Sequence, residues 1–237
     1  MRKYYPCLSG ILILFFSLTL SAQKNNKIDV RNYPELSLRT SLHSYFDFDA
    51  GIMLGINYRW TEKFSASIEP TWIFYNGVTI GEEQKTFPSG IKIRADIRYH
   101  FPKTRKKGLE FFIAPELHLK YVRTKKEDDF GIDCQNGQCT FIQQAVYTEI
   151  KNEVGGIIKL GTIAPLGFIN NDRWFIEFYS GFGVKHQKFK ETDLPTGGSF
   201  INPPDRSNFI NFGATNDRNT IFAPLFPVGI KVIFVLN

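Results

Sequence analysis

Hydrophobic and polar residues alternate along the segment from Gly90 to Phe101, GIKIRADIRYHF. Every second residue from Ile91 onward is apolar or aromatic, and the residues between them are charged or histidine. A period of two is the repeat of a β-strand, in which successive side chains point to opposite faces of the sheet. The pattern therefore predicts a strand with one apolar face and one charged face.

Seven further segments alternate in a similar way, so we predict eight strands in all. Glycine, proline, asparagine and aspartate are concentrated between these segments, where they favour turns. The predicted strands cover residues 36–46, 50–60, 64–75, 90–101, 109–123, 147–164, 174–187 and 222–236.

The connections between the predicted strands alternate in length. Short connections at 61–63, 102–108 and 165–173 separate long ones at 76–89, 124–146 and 188–221. The first connection, 47–49, is short where the series calls for a long one. Outer-membrane barrels have short periplasmic turns and long outer loops, with both chain ends on the periplasmic side. The lengths therefore favour an even-stranded closed sheet.

The first 22 residues have the composition of an export signal. Arg2 and Lys3 precede an apolar run that extends from Leu8 to Leu20, and Ala22 supplies a small residue at the cleavage point. We therefore expect residues 1–22 to be removed as a signal peptide and residues 23–237 to form one outer-membrane domain. After the signal, no apolar run approaches the 18 residues of a transmembrane helix candidate.

Charge argues against nucleic acid as a partner. The chain has 29 Lys and Arg against 23 Asp and Glu, and loss of the signal removes two of the basic residues, which leaves a net charge of +4. The one dense basic cluster, between Lys103 and Lys107, lies in a predicted turn. Nucleic-acid binding would instead require clustered basic and aromatic residues on one face. We predict no nucleic-acid partner.

Alternation alone does not say which face of the sheet points outward. A soluble periplasmic lipid-binding barrel would enclose the apolar face and expose the charged one. Here aromatic residues gather near both ends of the strands, as at the two interfaces of a membrane, and glycines such as Gly51 and Gly183 share the charged face. We therefore predict an all-β fold, an eight-stranded antiparallel transmembrane β-barrel with up-and-down topology. The soluble barrel is the alternative.

In this orientation charged residues line the interior. Pairing Phe101 with Leu109 across the turn gives paired residue numbers that sum to 210. That register brings His100 opposite Glu110, Arg94 opposite Glu116 and Lys92 opposite His118, with Asp96 and Arg98 on the same face. By parity the inward charged residues are Arg39, Arg59, Glu69, Lys92, Arg94, Asp96, Arg98, Glu110, Glu116, Lys120, Glu149, Lys151, Glu153, Lys159, Glu177, Lys185 and Lys231. An eight-stranded barrel is only wide enough for side chains to fill, so we expect a salt-bridged core, with a catalytic or conducting site as the alternative.

No catalytic constellation stands out in the sequence. A barrel-embedded hydrolase would combine a histidine with a serine and an acid. No serine is predicted beside His100 or His118, whereas His43 has Ser41 and Ser44 nearby. Serine-hydrolase elbows, phosphate loops and zinc-helix motifs are absent from the sequence. We predict no enzyme activity and no cofactor, with a hydrolase or lipid-modifying enzyme as the alternative.

Two cysteines lie in the connection between the fifth and sixth predicted strands. Cys134 and Cys139 flank an Asn-Gly turn signal in the sequence QNGQ. Outside the cytoplasm, two cysteines joined by a tight turn form a disulfide that holds the loop tip. A metal site would need two more ligands, and the only nearby acids are the run from Glu127 to Asp129 and Asp133. We therefore predict a disulfide and no metal.

The strand sequences resemble those of one class of proteins. GIKIRADIRYHFP, LEFFIAPELHLKYVR, GGIIKLG, RWFIEFYSGFGVKHQ and PVGIKVIFVLN are similar to segments of the small uncharacterised outer-membrane β-barrel proteins common in Bacteroidota. The resemblance implies contact with outer-membrane lipid and insertion by the barrel-assembly machinery, and it implies no catalytic residues. Members typically end in an aromatic residue, whereas this chain ends in Leu236 and Asn237. The expected role is structural, or interaction of the long loops with an extracellular ligand.

Overall fold

The computed structural model describes most of the chain beyond the predicted signal. Outside the described residues lie the predicted signal peptide, His43 and the basic cluster between Lys103 and Lys107. Within the described part there is no helix long and apolar enough to cross a membrane. The described residues are 34–41, 44, 49–75, 88–102, 109–134, 138–166, 173–201 and 219–236.

Antiparallel β-strands make up nearly all of this structure. They alternate apolar and polar residues with a period of two, as the sequence pattern predicts. The strands of the described residues are β1 (Glu35–Ser41), β2 (Ala50–Met53), β3 (Gly55–Arg59), β4 (Phe64–Tyr75), β5 (Pro88–His100), β6 (Glu110–Ile132), β7 (Phe141–Pro165), β8 (Trp174–Thr192), β9 (Gly198–Phe200), β10 (Thr220–Leu225) and β11 (Val228–Val235).

The strands form one sheet that closes into a ring of eight. β2 and β3 are separated only by Leu54, and both pair with β4. β10 and β11 are separated by Phe226 and Pro227, and both pair with β8. The ring closes where β11 pairs with β1, from Ser37 opposite Val235 to Ser41 opposite Lys231. The predicted eight-stranded antiparallel sheet is therefore confirmed, and its placement in a membrane stays a prediction.

Side-chain burial is the reverse of that in a soluble protein. On β5, Arg98 is fully buried and His100 is 2% exposed, whereas Ile97 is 58% exposed. All seven acidic residues predicted to face inward are buried, and so are seven of the ten basic ones. Large apolar side chains cover the outer surface of the ring, among them Leu54, Ile56, Ile68, Trp72, Phe111, Leu117, Ile158, Leu160, Phe182 and Val228.

Three strands are longer than the alternation predicts. β6 continues to Ile132, β7 begins at Phe141 and β8 continues to Thr192. The predicted loop 124–146 is therefore mostly a hairpin, in which β6 and β7 remain paired up to Ile132 and Phe141. From residue 123 to residue 129 one face of β6 is exposed and the other half-buried. Polar residues occupy both faces there, so the period of two disappears from the sequence.

The register between β5 and β6 differs from the prediction by two residues. The backbone N–H of Phe101 donates to the carbonyl of Phe111 at 2.9 Å, so the turn is longer than the predicted one, which ended at Leu109. A shift of two leaves every side chain on its predicted face, and for that reason alternation does not detect it. The observed pairs are Lys92 with Lys120, Arg94 with His118, Asp96 with Glu116 and His100 with Phe112.

Candidate functional site

A network of buried charges occupies the middle of the ring, with two carboxylates at its centre. Lys231 Nζ donates to both carboxylate oxygens of Glu69, each at 2.7 Å. Arg98 Nη1 and Arg39 Nη1 donate to Glu177 Oε2 at 2.7 and 3.1 Å. None of these five side chains is more than 2% exposed. Three cations therefore share two carboxylates away from bulk solvent.

Asp96 extends this network to two further strands. Arg98 donates to Asp96 through Nε at 2.7 Å and through Nη2 at 2.9 Å. Lys159 Nζ on β7 donates to Asp96 Oδ2 and to Glu116 Oε2, each at 2.5 Å. Arg94 Nε lies 3.8 Å from Glu116 Oε1. The predicted interior residues Arg94, Asp96, Arg98 and Glu116 thus belong to one continuous set of contacts, and Lys92 is buried on the same wall.

Two aromatic rings fill the space between these ion pairs. The ring centroid of Tyr179 lies 4.6 Å from Lys231 Nζ and 5.3 Å from Lys159 Nζ. The guanidinium carbon of Arg98 lies 4.7 Å from the ring centroid of Phe112. These distances lie within the range of cation–π attraction, about 6 Å. The rings therefore pack the interior and also stabilise its cations.

A second buried cluster lies at the end of the ring near the short turns. Glu110 Oε1 lies 2.5 Å from His100 Nδ1 and accepts a hydrogen bond from Arg59 Nη1 at 2.5 Å. The other ring nitrogen, His100 Nε2, lies 2.8 Å from Ser65 Oγ. Serine, histidine and carboxylate thus occur in the order found in serine hydrolases. The prediction that no serine lies beside His100 is wrong.

The surroundings of Ser65 differ from those of an open catalytic site. Its side chain is fully buried. An adjoining cavity, lined in part by Asn57 and His100, has a volume of about 10 Å³, which is close to the space that one water molecule needs. Arg59 also contacts the same Glu110 oxygen as His100. The cluster therefore fills this end of the ring and leaves little room for a substrate.

A third set of ion pairs lies toward the long connections. Lys120 and Lys151 both contact Asp49 Oδ2, Lys151 at a distance of 2.5 Å. His118 Nε2 lies 2.9 Å from Glu153 Oε1. Within the described part of the chain, no serine contacts His118 to complete a catalytic set. Charged residues therefore fill the ring at this level as well.

The predicted disulfide between Cys134 and Cys139 is present at the tip of the β6–β7 hairpin. Gly131 packs directly against it, because a Cβ atom at this position would collide with the Sγ atoms of both cysteines. Among the residues that the structure describes, no group of three or more His, Cys, Asp or Glu side chains is arranged to hold a metal ion. The disulfide therefore acts as a local crosslink of the tip.

A small aromatic core lies beside this disulfide. Phe130 on β6 packs against Tyr147 on β7, with ring centroids 5.8 Å apart. Phe200 on β9 contacts both, at 4.7 Å from Phe130 and 5.2 Å from Tyr147. β8 pairs with β7, whereas β9, which follows β8 in the chain, pairs with β6. The chain therefore crosses from one strand of the hairpin to the other, and Phe200 secures that crossing.

No family model matches this chain, and no curated protein or solved structure matches it either. Sequence parity identified the inward charged residues but not their partners on other strands. Ser65 was missed although the alternation of its strand places it on the inward face. A register for β4 and β5, in which Ser65 pairs with Arg98, would have revealed its neighbour His100.

Proposed function

We propose that this protein is an eight-stranded β-barrel of the outer membrane, with a filled polar interior, and that it has a structural or surface-interaction role through its outer hairpin and loops. The observation that carries this proposal is the inverted burial of a closed sheet, with apolar side chains outside and charged ones inside. Exposing apolar surface to water costs about 25 cal/mol per Å². In a membrane the same side chains contact apolar lipid tails, so this cost does not arise. The resemblance to Bacteroidota barrel proteins supports the same location.

The closed backbone supports a membrane location as well. In hydrocarbon, every backbone N–H and C=O must find a partner within the protein, which a closed sheet provides. Aromatic contacts lie near the short turns, where Tyr99 packs on Phe64 and Phe101 and Trp174 packs on Phe234. Bands of aromatic residues are typical of the interfaces between a membrane and water.

The packing of the interior favours a structural role over conduction. The central cations Lys231, Arg98 and Lys159 each lie within hydrogen-bond distance of carboxylates. Such pairs from opposite walls of the ring obstruct a water-filled path. We therefore expect no stable single-channel conductance from the folded protein in planar bilayers. Reproducible stepwise currents would overturn the claim of a filled interior.

Cell fractionation tests the location directly. We expect the protein in the outer-membrane fraction, released only by detergent, and migrating faster in gels before boiling than after it, as a folded barrel does. A soluble lipid carrier would need the opposite orientation of the two faces. Recovery in the soluble periplasmic fraction without detergent would contradict the membrane proposal and favour that carrier.

A membrane-embedded hydrolase is the second candidate, and the cluster of Ser65, His100 and Glu110 is the observation in its favour. Burial of the serine argues against it. A fluorophosphonate probe applied to the folded protein should give no labelling that depends on Ser65. Labelling that is lost in Ser65→Ala, while the variant keeps its heat-modifiable fold, would establish the hydrolase instead.

A further inference from the structure

Four basic side chains face outward where the apolar surface of the ring ends. They are Arg123 and Lys125 on β6 and Lys188 and Lys190 on β8, and all four are exposed. Ile150 on β7 pairs with both Arg123 and Lys190, so these two residues lie in one row, two strands or about 10 Å apart. Lys125 lies two residues beyond Arg123 on β6, and Lys188 lies two residues before Lys190 on β8. Each is about 7 Å from that residue along its strand. We call these four residues the outer basic patch.

The outer basic patch lacks the partners that the interior cations have. Within the described part of the chain, none of its four residues forms an ion pair with a carboxylate. Lys126, the neighbour on the opposite face of β6, pairs with Glu149 at 2.8 Å. The nearest acid along the outward face of β6 is Glu127, beyond Lys125. Four basic residues clustered on one exposed surface create a positive potential that attracts anions.

An apolar groove lies directly beside the patch on the same outer surface. It has a volume of about 240 Å³, and its apolar lining includes Ile91, Leu119, Tyr121 and Val154. Tyr121 shares a row with Lys188, because Asn152 on β7 pairs with both. Groove and patch are therefore continuous. A cationic surface next to an apolar groove is complementary to a lipid that carries an anionic headgroup.

We propose that the outer basic patch and this groove bind one phosphate-bearing lipid of the outer leaflet. The headgroup phosphate lies between Arg123 and Lys190, and an acyl chain lies along the groove. Guanidinium and ammonium groups donate charge-assisted hydrogen bonds to phosphate oxygens. The inference rests on the proposed outer-membrane location. Inorganic phosphate would use the same cations without the groove, so the intact lipid is expected to bind more tightly.

Native mass spectrometry of the detergent-solubilised protein tests this site. The probes are diphosphoryl lipid A, the same lipid A after removal of its phosphates, and inorganic phosphate. Each basic residue near an anionic lipid changes its affinity by about five-fold. The variant Arg123→Gln with Lys190→Gln is therefore expected to bind diphosphoryl lipid A about 25-fold more weakly. The matched control, Lys63→Gln with Arg173→Gln, removes two basic residues at the short-turn end and should bind as the unmodified protein does.

Several outcomes would overturn the lipid site. Equal binding of diphosphoryl lipid A by the patch variant and the unmodified protein would do so, and so would equal binding of the dephosphorylated lipid. Inorganic phosphate that binds as tightly as lipid A would exclude a lipid ligand. Gel migration before and after boiling, measured on the same samples, keeps the two proposals separate. A protein soluble without detergent refutes the membrane location, whereas a folded membrane protein indifferent to lipid A refutes only this site.

Discussion

The ion pair of Glu69 and Lys231 tests whether the charged interior holds the fold together. Glu69→Gln keeps the size of the side chain and removes its charge. Lys231 would then lose both 2.7 Å contacts to a carboxylate, and among the described residues it would keep only the carboxylate of Glu177, at 3.6 Å. Arg98 and Arg39 would each lose a carboxylate oxygen, at 3.5 and 3.9 Å. Removing one partner of a buried ion pair costs about 3–5 kcal/mol. We expect the free energy of unfolding to fall by that amount.

A second substitution separates the loss of an ion pair from the loss of a side chain. Replacing a whole buried pair by apolar groups is often neutral or stabilising. The double variant Glu69→Gln with Lys231→Met should therefore be more stable than Glu69→Gln alone. Glu127 is exposed on the β6–β7 hairpin, so Glu127→Gln is a control with the same change of charge, expected to stay within about 0.5 kcal/mol of the unmodified protein.

Urea unfolding in detergent micelles, followed by tryptophan fluorescence and by gel migration of unboiled samples, gives the free energy of unfolding for each variant. A loss below about 1 kcal/mol for Glu69→Gln would refute the reasoning, because that is the contribution of an exposed ion pair. Simple additivity of Glu69→Gln and Lys231→Met in the double variant would refute it as well, since coupled partners are non-additive.

Three further predictions concern the sheet and the β6–β7 hairpin. In Gly183→Ala the new methyl group would collide with the carbonyl of Gly156, so the free energy of unfolding in urea should fall by about 1–3 kcal/mol. The control Gly156→Ala, where nothing lies within 4 Å of the new atom, should leave it unchanged. Equal effects of the two substitutions would contradict this packing. Cys134→Ser should hasten protease cleavage of the hairpin tip and lower the free energy of unfolding by about 2 kcal/mol, because the bridge closes a loop of only five positions. Cleavage at the rate of the unmodified protein would be contrary evidence. Phe130→Ala removes a fully buried ring and should lower the local stability of the aromatic core beside the disulfide by about 3–5 kcal/mol. Hydrogen exchange should become faster in β9 and stay unchanged in β4. Unaltered exchange in β9 would count against that core.

The alternation along the sequence predicts which side of each strand is charged. It assigns Arg98 and Glu177, for example, to the inward face, and both are fully buried. The expected contact between Arg94 and Glu116 also forms, at 3.8 Å, although the register is shifted by two residues. Long side chains reach the diagonal neighbour on the next strand, so this contact tolerates the shift.

The sequence pattern does not predict the position of a residue along the axis of the ring. The alternation gives the face on which a side chain lies but not its position along that axis. It therefore does not predict the contact of Ser65 with His100, or that of Arg39 with Glu177, 138 positions away. The extension of β6 was missed for another reason. Beyond Arg123 the polar residues on both faces of the hairpin give no alternation to follow.

The disulfide at the hairpin tip and the aromatic core beside it differ in the length of chain that each one closes into a loop. The entropy lost on closing a loop rises with the number of residues enclosed. Cys134 and Cys139 are only five positions apart, so little entropy is lost in bringing them together, even in a chain without a sheet. Phe130 and Phe200 are separated by β7 and β8 in the sequence, so their contact closes a much longer loop. The disulfide therefore needs no other part of the sheet to form, whereas the aromatic core requires β6, β7 and β9 in place.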